Sequence, residues 1–273
     1  MKKLSVVLVI FCLLFTACNR NPVTGQSTMA LVSNSMLFPL AFQEYEVFLR
    51  ENKIVTESPE AEMVQRAGDR IREAALSLFA AEGEENYLDD YRWEYHLIES
   101  DEVNAWVMPG GKIAVYTGIL PLALDEDGLA VIMGHEIAHA ILNHGQQRMS
   151  AELLQELIRL GLYFGTSLLE VSSETRALIM AAYGVGSHLG GILPFSRSHE
   201  NEADYYGLIL MTIAGYNPEA AVSFWERMAE LDSGGLEWLS THPSSENRAG
   251  QLKDWILETG EIAERAKLVL SSQ

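Results

Sequence analysis

The chain has 273 residues, 48% of them hydrophobic and 21% charged, enough apolar material for one domain with a sizeable core. Its formal net charge of -19 argues against general nucleic-acid binding, which needs a basic surface to neutralise phosphates. The same charge disfavours attachment to a membrane through a polybasic patch.

Lys2 and Lys3 precede an apolar run from Leu4 to Phe15, so residues 1–17 read as a signal segment too short to span a bilayer. The run ends in Phe15-Thr16-Ala17-Cys18, which resembles the lipobox of bacterial lipoproteins and implies acylation at Cys18. With Cys12 removed by cleavage and Cys18 occupied by lipid, no disulfide is expected. Residues 18–40 carry Pro22, Gly25 and a Ser/Thr/Asn-rich stretch and read as a lipid-anchored tether, leaving 41–273 as the folded domain.

Helices are expected over 40–51 and 59–81, the second opening at Ser58-Pro59-Glu60 with a capping serine and a proline in its first turn. Gly83 to Asp90 forms an acidic loop. Alternating apolar positions at Trp93, Tyr95 and Leu97, from Val103 to Val107, and from Ile113 to Tyr116 predict a small antiparallel sheet turned at Pro109-Gly110-Gly111. Beyond Asp125 the pattern is helical, with breaks near 184–194, 215–218, 234–235 and 242–243. A sheet followed by a run of helices makes the fold class α+β, a mainly helical domain with a small sheet. Residues 178–195 are apolar but hold four glycines, His188 and Pro194, which disfavours a spanning helix; Leu153 to Leu169 reads as a core helix.

The chemistry is concentrated at Gly134-His135-Glu136-Ile137-Ala138-His139, within a helix expected from about 128 to 143. Spacing of i, i+4 puts both imidazoles on one helix face, where they can share a zinc ion. Glu136, one position round, can reach a zinc-bound water without taking a coordination site. A catalytic zinc needs a third protein ligand. The histidine spacing of metzincins is not met, because position 145 is glycine and His144 falls one residue short; His144 reads as an ordinary polar residue at the helix end. Downstream, Ser196 to Asp204 opens a second helix on which Glu200 and Asp204 share a face. One of the two can bind metal while the other orients a ligand histidine, with Ala203 keeping the face small and Glu202 pointing away.

Four ordered motifs are shared with a known group. They are Asn104-Ala105-Trp106-Val107 with Pro109-Gly110-Gly111, then His135 to His139, then Ser196-Arg197 through Glu200 to Ala203-Asp204, then Thr241-His242-Pro243 with Arg248. Over residues 60–258 the chain resembles the gluzincin metallopeptidases of family forty-eight, the group of HtpX, the CAAX prenyl proteases and the Oma-type and BepA-like enzymes. The resemblance implies one zinc ion per chain held by His135, His139 and Glu200, with Glu136 as general base and Asp204 orienting a ligand from behind. It also implies that Asn104 and Ala105 lie on an edge strand that receives extended substrate. His242 or Arg248 would donate to the oxyanion of the tetrahedral intermediate, and His242 would alternatively occupy the fourth zinc position in a resting state.

The function expected from this is zinc-dependent endoproteolysis in quality control of misfolded or incompletely assembled cell-envelope proteins, with a zinc-binding chaperone of silenced proteolysis as the second reading. The partners expected are unfolded or misassembled substrates, a lipid membrane reached through acylated Cys18, and envelope assembly machinery as a candidate. The placement expected is periplasm-facing, with the outer membrane ahead of the inner because Asn19 stands where a retention aspartate would.

Overall fold

The computed structural model describes residues 18–168, 172, 173, 175, 197–231, 238, 242 and 247–270. The expected signal segment, the apolar stretch 178–195, the glycine pair 234–235, and Thr241 and Pro243 lie outside the described residues. The described elements run β1 (Cys18–Arg20), β2 (Ser27–Met29), α1 (Asn34–Glu51), β3 (Ile54–Val55), α2 (Pro59–Ala81), β4 (Glu94–Ile98), β5 (Ala105–Met108) and β6 (Lys112–Tyr116). After a short 3₁₀ turn come α3 (Leu120–Ala123), α4 (Glu126–Ile141), α5 (His144–Leu168), α6 (Arg197–Ile213), α7 (Glu219–Leu231) and α8 (Arg248–Leu270). This is the α+β, mainly helical architecture expected.

Helix α2 starts where the capping signal puts it: Ser58 Oγ accepts from the Ala61 amide at 3.1 Å, Pro59 takes the first turn, and Glu60 and Glu62 face the positive end of the helix dipole. Ala61, Val64, Ala67, Ile71, Ala74, Ala75 and Leu78, spaced three and four apart, are buried against α4, α8 and β4. The sheet order is β3-β4-β6-β5. Its central pair β4–β6 is parallel, with Glu94 opposite Lys112 and Ile98 opposite Tyr116, while the outer pairs are antiparallel, so the expected all-antiparallel sheet is corrected to a mixed one. The reason lies in the turn at Pro109–Gly111. It folds β6 back from β5 into the slot beside β4, which leaves β5 as the edge. Gly110 has φ +85°, and a Cβ there would lie 2.6 Å from the Phe42 ring, so the turn accepts only glycine.

Residues 18–40 are built into the fold instead of leading away from it. Strands β1 and β2 pair as a hairpin whose turn holds Asn21, 6% exposed. Asn21 Oδ1 accepts from the amides of Val23 and Thr24, and its Nδ2 donates to the Ile141 carbonyl at the end of α4 at 3.0 Å. Helix α1 begins at Asn34, six residues before the expected start, and runs through Pro39, which the sequence pattern treats as punctuation. Helix α5 departs from expectation as well. Leu153, Leu157, Ile158, Leu160 and Tyr163 are exposed, so this segment is not a core helix. Among the described residues no helix is long and apolar enough to cross a membrane.

Helix α4 is capped by Asp125, whose Oδ1 accepts from the Gly128 amide at 2.9 Å, and every residue from Gly128 to Ile141 is buried. It packs most extensively on α6. A Cβ on Gly134 would sit 2.9 Å from the Gly207 carbonyl oxygen, and one on Gly207 would sit 2.9 Å from the His135 amide. The two helix backbones therefore touch at a glycine pair, and this close crossing brings the His135–His139 face of α4 onto the Glu200–Asp204 face of α6.

Candidate metal centre

Four side chains from three parts of the chain converge at this crossing. His135 and His139 come from α4, Glu200 from the first turn of α6, and His242 from the segment before α8; all four are at most 2% exposed. One donor atom from each lies within 4.8 Å of every other. His135 Nε2 is 3.0 Å from His139 Nε2 and 3.2 Å from His242 Nδ1. Glu200 Oε1 lies 3.3 Å from His139 Nε2 and 3.1 Å from His242 Nδ1, and its Oε2 lies 3.4 Å from His135 Nε2.

Three imidazole nitrogens and a carboxylate cannot all satisfy one another by hydrogen bonds, since each outer ring nitrogen of His135 and His139 already has a partner of its own. A tetrahedral ion with metal–nitrogen distances of ~2.1 Å has ligand–ligand edges of roughly 3.4 Å, close to the separations seen. The nitrogen and carboxylate donors also match zinc chemistry. The residues therefore fit one zinc ion.

The electrostatics agree. Burial alone would raise the Glu200 carboxyl, but His135, His139 and His242 hold it far below the usual carboxylate range. Burial lowers both ligand imidazoles; for His135 the carboxylates of Asp204 and Glu200 overcome this and raise it to about 9. His139 is driven well below its ordinary value by burial and by the neighbouring His135 charge.

The sequence pattern of Peptidase family M48 matches residues 67–256, which contain all four donors. The chain belongs to peptidase family M48. Mitochondrial metalloendopeptidase OMA1 of Schizosaccharomyces pombe is 38% identical over 63% of this chain and 49% of its own length. The mitochondrial metalloendopeptidase OMA1 of Bos taurus is 33% identical over 92% of this chain and 48% of its own. The beta-barrel assembly-enhancing protease of Escherichia coli is 26% identical over 62% of this chain and 37% of its own. This chain thus spans about half the length, or less, of these three relatives.

The expected placement of this M48 peptidase, facing the periplasm with the outer membrane ahead of the inner, is overturned. Relatives matched over 92% of the chain are named as mitochondrial enzymes, while the bacterial relative matches less of it at lower identity. The basic and apolar composition of residues 2–15, on which that expectation rested, does not distinguish one membrane from another.

Within the M48 site, Glu136 is 1% exposed and lies beside the donors without joining them. Burial raises its carboxyl above the ordinary value. Its Oε1 accepts from Trp238 Nε1 at 3.3 Å and lies 3.6 Å from His242 Nε2. Asp204 Oδ1 stands 3.0 Å from His135 Nδ1, where the shared helix face puts it. Arg248 grips Asp204 with Nε and Nη2, the latter at 2.6 Å from Oδ1, and stacks its guanidinium 3.4 Å over the Trp225 ring. Nε and Nη2 of Arg248 are engaged by Asp204 and Glu200, while its Nη1 is buried without a hydrogen-bond partner among the described residues. Asn104 is buried with Oδ1 lacking a hydrogen-bond partner, and Ala105 opens β5, the sheet edge beside α4. A narrow cleft lined by Val107, Met108, His139 and Gln146 runs between that edge and α4.

Two readings of neighbouring residues are changed. His144 is fully buried: its Nδ1 lies 2.8 Å from His139 Nδ1, and its Nε2 lies 3.2 Å from Glu202 Oε2. Asn143, with φ +58°, ends α4 and turns the chain back so that His144 faces inward. Glu202 points away from the four donors, as expected, but toward His144 instead of solvent. Trp238, stacked on Trp225 at 5.3 Å, carried no sequence signal, because its partner Glu136 is 102 positions away.

Proposed function

We propose that this chain is a zinc-dependent metalloendopeptidase acting on misfolded or incompletely assembled proteins. The observation that carries the reading is the convergence of His135, His139 and Glu200 on one point, with the buried Glu136 carboxylate beside them. A zinc ion held there supplies Lewis acidity and lowers the pKa of a coordinated water. Glu136, oriented by Trp238, takes a proton from the attacking water and returns it to the leaving amine. Asp204, clamped by Arg248, fixes the ring of His135. Extended substrate adds to β5, the strand that ends the sheet among the described residues, at Asn104 and Ala105, where main-chain pairing gives affinity with little sequence selectivity. The names of the matched relatives, two metalloendopeptidases and an assembly-enhancing protease, support a quality-control role. The envelope as the source of substrates goes with the overturned placement and is not retained.

His242 is the fourth donor of the resting arrangement in this reading, since its Nδ1 stands as close to Glu200 and His135 as the other donors do. A casein degradation assay on the full chain tests both statements. Degradation should stop with a zinc chelator and return with added zinc; chelator-resistant degradation overturns the metalloendopeptidase. In the same assay His242→Ala should raise the basal rate, whereas a fall in turnover with zinc still bound overturns the fourth-donor role and leaves His242 as an oxyanion donor.

Cys18, exposed at the start of β1, is the proposed acylation site, and Cys18→Ser is expected to release the chain from membranes with proteolysis intact. Membrane association that survives this change removes the anchor.

A further inference from the structure

His135 and His139 are held from behind in different ways. His135 meets a carboxylate directly, Asp204, whereas His139 meets a second histidine. We propose that His144 and Glu202 are positioning residues that fix His139 through a carboxylate–imidazole–imidazole relay anchored by Gln26 to the amino-terminal hairpin. The inference rests on the zinc-centre reading above.

The relay follows from counting protons. A metal at His139 Nε2 leaves the ring proton on Nδ1, which must donate. The group facing it at 2.8 Å is His144 Nδ1, which therefore accepts and keeps its own proton on Nε2. That nitrogen faces Glu202 Oε2 at 3.2 Å, and a carboxylate only accepts. Oε1 of Glu202 accepts from Gln26 Nε2 at 3.1 Å, so both carboxylate oxygens are engaged. Every proton in the chain has one place, and reversing any link would set two donors or two lone pairs against each other.

The ring of His144 has little freedom to turn out of this relay. It is fully buried, and His199 stacks on it at 4.4 Å with planes 20° apart. His199 is tied to Gln147 Oε1 at 3.1 Å. The far end of the relay is fixed as well. Gln26 belongs to the hairpin turn that Asn21 docks on the last carbonyl of α4, so the hairpin braces both the end of the ligand helix and the carboxylate behind His139.

The test is zinc affinity of the full chain, by chelator competition, together with the absorption spectrum of the cobalt(II)-loaded protein. His144→Phe keeps a planar ring and removes the acceptor; it should weaken zinc binding by roughly 10- to 100-fold and shift the cobalt bands. His144→Asn places an amide oxygen near the Nδ1 position and should recover most of both. Glu202→Ala should move affinity in the same direction, and Gln26→Ala should do so by less. A folded His144→Phe with the affinity and spectrum of the parent chain overturns the relay. If His144→Phe does not fold, Glu202→Ala decides alone, because Glu202 is only partly buried and its loss opens no core. A parent chain that binds no zinc overturns the metal-centre reading, whereas a zinc-binding parent with unaffected variants overturns only the relay.

Discussion

Glu136→Gln is expected to keep zinc and fold while proteolysis falls by about three to four orders of magnitude. The substitution changes neither length nor shape, and the amide oxygen can still accept from Trp238 Nε1. What it removes is the ability to accept a proton. None of the four converging donors comes from Glu136, so the metal group is untouched. The burial that raises the Glu136 carboxyl opposes its charge, so the neutral amide costs less to bury than the carboxylate and stability should be equal or higher. Zinc content by atomic absorption, thermal melting and casein turnover measure the three statements. Turnover at the parent rate would remove Glu136 from the chemistry; loss of zinc would make it a ligand.

Glu200→Ala is expected to abolish tight zinc binding, with a loss larger than the roughly 10- to 100-fold that partners behind the ligands command. Glu200 is the only carboxylate in the group of four, and its two oxygens lie within 3.4 Å of all three imidazoles. It supplies the negative charge that lets three nitrogens converge on a cation. Removing it leaves His135, His139 and His242 facing a hole, and Arg248 loses its contact with Glu200 Oε2 while keeping Asp204. Glu200→Gln retains a neutral oxygen donor and should fall between the parent and the alanine variant. Glu202→Ala provides the contrast, since its carboxylate stands behind His144 and outside the donor group. If Glu202→Ala lost zinc more completely than Glu200→Ala, the ligand assignment would move to Glu202.

Much of this centre was legible in local sequence. The i, i+4 spacing of His135 and His139, and of Glu200 and Asp204, places each pair on one helix face whatever the tertiary context, because 3.6 residues per turn is a property of the backbone. The cap at Ser58, the helix from Pro59 to Ala81 and the three main strands follow in the same way from capping chemistry and period-2 alternation. The strands' pairing did not. Alternation marks a strand but not its neighbour, and only the return of β6 past β5 made the central pair parallel.

What the sequence by itself determined was therefore the donor types, their helical faces and the family. Tertiary structure decided what each donor leans on. His144 looked like the polar end of a helix because nothing local shows that a left-handed Asn143 turns it inward onto His139. Glu202 looked solvated because its partners lie 58 and 176 positions away. Residues 18–40 looked like a tether because their polar composition is that of a linker, yet Asn21 satisfies a helix-end carbonyl 120 positions on. Arg248 was read as an oxyanion donor because nothing local shows that folding sets its Nε and Nη2 on Asp204. Apart from His144, which meets His139 five positions away through the turn at Asn143, the deciding contact is a hydrogen bond between groups distant in sequence. A hydrogen bond depends on distance and direction that only the packed helices supply, whereas helical periodicity is set within a few residues.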